Sequence, residues 1–199
     1  MRTKSRQFFF TLFLFSFGVC AAAGRAQVKP ILKVDGWSQG PFEGQKSISC
    51  LTVYSDGNVD FFHRWNPGQI QIDAKTGKKA LVERVVSVES HLSSPDLLDV
   101  SDFLKSDVIT ALQKGFVISH PFVDYQEGVT VCLGGPAGNE KCIEIRDYGE
   151  ADLEQKGQLP GALIVLMDKI GKIEKTAILK GKTTKIPSNC SERAAKIGN

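Results

Sequence analysis

The chain is poor in the residues that site chemistry usually needs. It holds three histidines, His63, His91 and His120, and none stands at H-x-x-x-H spacing. No two cysteines stand at C-x-x-C spacing. The common structural and catalytic zinc patterns are therefore missing. Gly181-Lys182-Thr183 has the ending of a phosphate-binding loop, but the first glycine of that loop falls at Thr176. No internal repeat of solenoid-like period is visible. The longest apolar run, Phe8 to Val19, is shorter than the ~20 residues a membrane-spanning helix needs.

That run is instead the core of an export signal. Arg2, Lys4 and Arg6 precede it, and small residues follow, with cleavage expected after Ala23 or Ala26. Phe17-Gly18-Val19 before Cys20 is not the small, Leu-led context of an acylated cysteine. Residues 1–26 carry four of the 25 basic residues and no acidic one, leaving 21 basic against 22 acidic in the mature chain. Its expected net charge is −1, and its location is secreted or periplasmic. Between Lys169 and Asn199 stand eight basic residues and two Glu, without interleaved aromatics. This reads as a solvated basic tail, not a nucleic-acid patch.

About 173 mature residues suit one domain with one core. Cys50, Cys132, Cys142 and Cys190 remain, an even number in an exported chain, so disulfides are expected. The stretch from Gly128 to Tyr148 suggests the pairing. Two apolar runs, Val129–Leu133 and Cys142–Ile145, flank Gly134 to Asn139. Pro136 and Ala137 suit right-handed backbone and Gly138 a positive φ, which together make a three-residue hairpin loop. Counting outward from Gly135 opposite Asn139 sets Leu133 against Lys141 and Cys132 against Cys142. That pair falls at a non-hydrogen-bonded site, where Cα atoms are about 4.5 Å apart and a disulfide fits. Val129, Val131, Leu133, Ile143 and Ile145 share the core face. The cysteines share the other with Thr130, Glu140, Glu144 and Arg146, as a surface staple or a redox pair. Cys50–Cys190 is then the second bond.

A second hairpin is expected over Ser47 to Trp65. Asp56-Gly57 predicts a two-residue type I′ turn, with Ser55 opposite Asn58. This register sets Tyr54 against Val59, Thr52 against Phe61, Cys50 against His63 and Ile48 against Trp65. That aromatic face is expected to look inward. Residues 27–46 read as an extended lead-in, 66–79 as turns, and Ala80 to Leu92 as a third strand from its valines. Ser94 is the expected cap of a helix with Pro95 and Asp96 in its first turn. Asp107 to Gln113 suggests a short helix, and Phe116 to Asp124 a loop or short strand. Leu159-Pro160-Gly161 opens a last helix whose stripe is Leu163, Leu166/Met167, Ile170 and Ile173. The stripe is expected to dock on the aliphatic face of the cysteine hairpin. From Lys180 onward the chain reads as a loose tail.

The chemical signals are thin. Gly36-Trp37-Ser38-Gln39-Gly40 matches the G-x-S-x-G elbow, but too little chain precedes it for the sheet such a motif needs, and Pro41 and Gly44 oppose a following helix. Ser38 reads as a loop serine. Cys50 opposite His63 would resemble a thiol–imidazole pair; a disulfide-bonded Cys50 beside a structural His63 is the simpler reading. Asn189-Cys190-Ser191 fits a glycosylation sequon, which matters only in a glycosylating cell.

The order of elements is hairpin, strand, helix opened by Ser-x-Pro-Asp, hairpin, then Leu-Pro-x-x-Leu-x-x-Leu and a closing helix. This layout, from Ser47 to Ile173, resembles the emfourin-type domain, an exported α+β family with members that inhibit thermolysin-like metalloproteases. The family's glycine-rich first turn is replaced here by Ser55-Asp56-Gly57-Asn58, so no inhibitory residue is assigned. The expectation is one α+β domain over 47–179: an antiparallel sheet of two hairpins plus a strand, with two main helices on one face. It would act as a non-catalytic exported module without cofactor, metal or catalytic residues. Its partner would be another exported protein or surface component. Metalloprotease inhibition and thiol redox chemistry at Cys132/Cys142 are the alternatives.

Overall fold

The computed structural model describes residues 28–40, 46–66, 69–72, 74–118, 126–134, 140–146 and 159–185. The strands are β1 (Pro30–Gln39), β2 (Lys46–Tyr54), β3 (Asn58–Trp65), β4 (Ile70–Ile72), β5 (Lys79–Leu81), β6 (Arg84–His91), β7 (Gly115–Val117), β8 (Gln126–Leu133), β9 (Lys141–Arg146) and β10 (Lys182–Thr183). The helices are α1 (Ser94–Lys105), α2 (Asp107–Thr110) and α3 (Gly161–Lys180). Eight strands form one sheet in the order β10-β6-β3-β2-β1-β8-β9-β7, and β4 pairs with β5 in a separate ribbon. Among the described residues, every pairing is antiparallel except β7 with β9. The fold is α+β, with the helices on one face of a mostly antiparallel sheet.

The expected lead-in is the largest difference. β1 is a central strand, paired with β2 on one side and β8 on the other, so it joins the two hairpins. The sheet therefore includes Pro30–Gln39, upstream of the expected start at Ser47. Pro30 sits at the first position of the strand, where its missing N–H costs least. Leu32 and Val34 point into the core and are almost fully buried. Trp37, on the other face, lies across Gly128 of β8; a Cβ there would meet the indole Nε1 at 2.5 Å.

The cysteine hairpin has the expected register: Leu133 faces Lys141, Cys132 faces Cys142, and Val131 faces Ile143. Its expected loop, Pro136 to Gly138, lies outside the described residues. The first hairpin differs by one residue. Val53 faces Val59, Leu51 faces Phe61, Cys50 faces Phe62 and Ser49 faces His63. The turn holds three residues between Tyr54 and Asn58. Gly57 takes φ 89°, its N–H donates to the Tyr54 carbonyl at 3.0 Å, and Asp56 Oδ1 accepts from the Asn58 N–H at 3.0 Å. The Leu92 N–H also donates to the Gly57 carbonyl, tying the turn to the end of β6. Because side chains alternate, the slip exchanges the faces of β2. Leu51 and Val53 enter the main core, while Ile48 and Cys50 turn to the opposite face with Phe62.

Helix α1 is capped by Ser93, one residue before the expected Ser94. The Ser93 hydroxyl accepts from the Asp96 N–H at 3.4 Å and donates to the Asp96 carboxylate. Val100 and Leu104 anchor this helix in the core. Helix α3 buries Leu163, Leu166, Ile170, Ile173 and Ala177, the expected stripe extended by one turn. Burial of each large aliphatic is worth about 1.5–3 kcal/mol. The strands closest to α3 are β6 and β3, not the cysteine hairpin. Beside that hairpin stands α2, whose Ile109 is fully buried and whose Ile109 carbonyl accepts from Lys141 Nζ at 3.2 Å. The expected tail starts as structure: β10 pairs Lys182 with Glu89 and Thr183 with Val88 at the sheet edge.

Candidate functional site

The alternation of β8 and β9 turns the staple outward, as expected. Cys132 and Cys142 are joined by a disulfide across a Cα–Cα distance of 4.0 Å, and both are half-buried. Lys33 of β1 stands directly opposite Cys132. Its ammonium donates to Glu140 Oε1 at 2.5 Å. The ion pair of Lys33 and Glu140 thus stands beside the staple, with a cation and a carboxylate both near the sulfurs. Donor atoms of Cys132, Glu140 and Cys142 lie within 4.8 Å of one another. The disulfide occupies both sulfurs, so they do not form a metal site in the oxidised protein.

Cys50 is also disulfide-bonded. The register takes it away from His63: it faces Phe62, on the other side of the sheet, so no thiol–imidazole pair forms. Its expected partner Cys190, the sequon residue Asn189, and His120 lie outside the described residues.

The serines and the histidine do meet, at one end of the helix-bearing face. Ser38 pairs with Ser47 on one side and Glu127 on the other. Ser47 Oγ and His63 Nε2 lie within hydrogen-bonding distance, 2.8 Å. The imidazole stacks on Trp65 with ring centroids 4.6 Å apart and 21° between planes. Burial lowers the His63 pKa from its ordinary value, which favours the neutral ring. Ser38, however, is held inside a strand between two antiparallel neighbours. The strained strand-to-helix elbow of a G-x-S-x-G nucleophile is not built here. His91 is structural in the same sense: its Nδ1 donates to the Leu92 carbonyl at 2.6 Å.

The feature that sequence reading missed is an arm. Between β3 and β6 the chain leaves the main sheet, and β4 and β5 pair as a ribbon of three residues a side. Ile70 and Ile72 are each 60% exposed. Lys75, Lys78 and Lys79 are exposed at and beside its turn, where Gly77 takes φ 66°. The Ile-Gln-Ile alternation before Thr76-Gly77 was the available signal. Elsewhere, a cleft of about 340 Å³ opens near the first turn, lined by Tyr54, Asp56, Asp60 and Glu89 among others. Tyr54 OH donates to Asp60 Oδ2 there at 2.9 Å.

Comparison with protein-family models, curated proteins and solved structures gives no match. Among the described residues, no helix is long and apolar enough to cross a membrane.

Proposed function

We propose that this chain is a non-catalytic exported module that binds another protein through the β4–β5 arm. The observation that carries this reading is the 60% exposure of both Ile70 and Ile72 on a ribbon outside the main sheet. Three-residue strands are marginal alone, and exposed apolar ribbons are a liability unless something covers them. Moving each isoleucine from water into an interface is worth up to about 1.5–3 kcal/mol. The lysines at the turn favour an acidic partner surface. A thermolysin-like metalloprotease is the first partner class to try, from the layout resemblance.

The test compares the wild-type protein with the double variant Ile70→Asp/Ile72→Asp. Both should melt alike, because neither side chain supports the core. Wild type should retain partners from the native envelope, or slow a metalloprotease at stoichiometric amounts, and the variant should not. Equal retention by both proteins would remove the arm from the reading. The half-buried staple beside Lys33 supports a second reading, thiol exchange. Resistance of the Cys132–Cys142 bond to a strong dithiol reductant would end that one.

A further inference from the structure

We propose that the turn of the β4–β5 arm is a proteolytic processing site, cut after Lys78 by an endoprotease with an acidic specificity pocket. The step is hydrolysis. The Lys78–Lys79 peptide bond breaks, and water gives a hydroxyl to the Lys78 carbonyl carbon and a proton to the Lys79 nitrogen. An endoprotease takes its substrate as extended chain, so the segment must first open locally. The turn makes that opening easy. Residues 74–79 are all exposed. A Cβ added at Gly77 would meet nothing within 4 Å, so the tip stands in open space. Only three residues a side pair in the ribbon, and a two-stranded ribbon is marginal by itself. Ile70 and Ile72 stay 60% exposed, so opening the ribbon removes little buried apolar surface. Cleavage follows the population of the opened form, and exposed loop tips are where nicking concentrates. The lysine side chain supplies the cation that an acidic pocket selects.

Exposure alone does not single out Lys78, because Lys29, Lys46, Lys114 and Lys185 are exposed too. What separates them is the carbonyl, which the protease must take into its own oxyanion hole. The Lys29 carbonyl accepts from the Ser55 N–H, that of Lys46 from the Asn66 N–H and that of Lys114 from the Glu144 N–H, each at 2.9 Å. The Lys185 carbonyl accepts from the Ser87 hydroxyl at 3.4 Å. Releasing any of these disturbs the main sheet or its edge. Among the described residues, no hydrogen bond holds the Lys78 carbonyl. The lysines of α1 and α3 lie in helices anchored in the core by Val100 and Ile173, so reaching them means unwinding a docked helix.

The cut leaves the domain standing. β3 and β6, which flank the arm, pair from Asn58 with His91 to Trp65 with Arg84. At the arm's base the Val82 N–H donates to the Gln69 carbonyl at 2.9 Å. The core cluster draws Leu51 and Phe61 from before the cut and Leu163 and Ile170 from after it. Neither part can leave without exposing that core. The product is therefore a nicked, folded protein in which β4 and β5 no longer share a turn. The site needs only the geometry of the turn, so it stands apart from the binding role proposed for the arm.

Trypsin is the probe, used briefly and at low dose on the native protein, with the masses of the early fragments as the readout. Among the described residues, the first bond cut should be the one after Lys78. The two parts should then elute together at the volume of the intact protein and separate only after denaturation and reduction. The variant Lys75→Gln/Lys78→Gln/Lys79→Gln removes every basic residue of the turn. It should melt as wild type does and lose the early cut, its first cleavage among the described residues coming about tenfold later. A first cut after Lys114, or after any other described residue than Lys78, overturns the proposal. So does a nicked protein that falls apart without denaturant, or a triple variant cut as fast as wild type.

Discussion

Ser47 Oγ and His63 Nε2 lie 2.8 Å apart, beneath the ring of Trp65 stacked on the imidazole. The ring is partly desolvated, and its pKa is lowered for that reason. Below its ordinary pKa the unfolded chain binds a proton that the folded ring resists. Stability contributed by neutral His63 is therefore complete above about pH 6.5 and is lost as pH falls below it. Between pH 7 and pH 5 the wild type should therefore lose stability relative to His63→Gln, read as the difference between their melting temperatures. A difference between the two proteins that stays constant across this range would remove His63 from the pH dependence.

Glu174 on α3 works in the opposite direction. Burial pushes its carboxyl up to about 7. The folded state keeps this proton where the unfolded chain has released it. Its stabilising share is whole below the ordinary carboxylate range and disappears as pH climbs through about 7. Glu174→Gln should remove that loss, so the variant gains on wild type from pH 5 to pH 8. The two titrations together predict a stability maximum on the acid side of neutrality, read by denaturant melts across pH.

Ser93 and Ser94 separate two placements of one helix start. Ser93 accepts from the Asp96 N–H, while Ser94 is the first helical residue. Ser93→Ala should cost about 1 kcal/mol, and Ser94→Ala close to nothing. The reverse order would move the cap to Ser94.

What could be read from the sequence depended on how local the deciding contact was. The cysteine hairpin was legible because its register follows from alternation and a short loop between two clear apolar runs. The first hairpin was not, although Asp56-Gly57 is a strong turn signal. A two-residue and a three-residue turn both end on Gly57, and the choice rests on Asp56 gripping Asn58 and on Leu92 bonding to Gly57. One residue of slip moved Cys50 and Ile48 from one face to the other. β1 was missed because Pro30 and Gly36 read as breakers; strands on both sides of it supply the pairing that its own letters do not announce. The α3 stripe was readable from periodicity, yet the strands it covers were not, because α2 stands beside the cysteine hairpin and α3 lies closest to β6 and β3. The arm passed as turns because its strands are only three residues long.

The two disulfides should not be equally important. Cys132 and Cys142 are 10 residues apart in sequence, a short loop whose closure is worth about 2–3 kcal/mol in the chain-entropy account. Cys50 is also disulfide-bonded, and a bond to its expected partner Cys190 would close a far longer loop, worth about 4–5 kcal/mol on the same account. The short bond is half-buried at the surface, whereas Cys50 is 2% exposed. Mild reductant should therefore open Cys132–Cys142 first, with a modest fall in melting temperature. Stronger reductant should then open the second bond with a larger fall. Cys132→Ser/Cys142→Ser should reproduce the first step alone, and Cys190→Ser should cost more than that pair. Equal losses, or reduction in the opposite order, would mean that the hairpin bond and not the bond at Cys50 is the stronger staple of the fold.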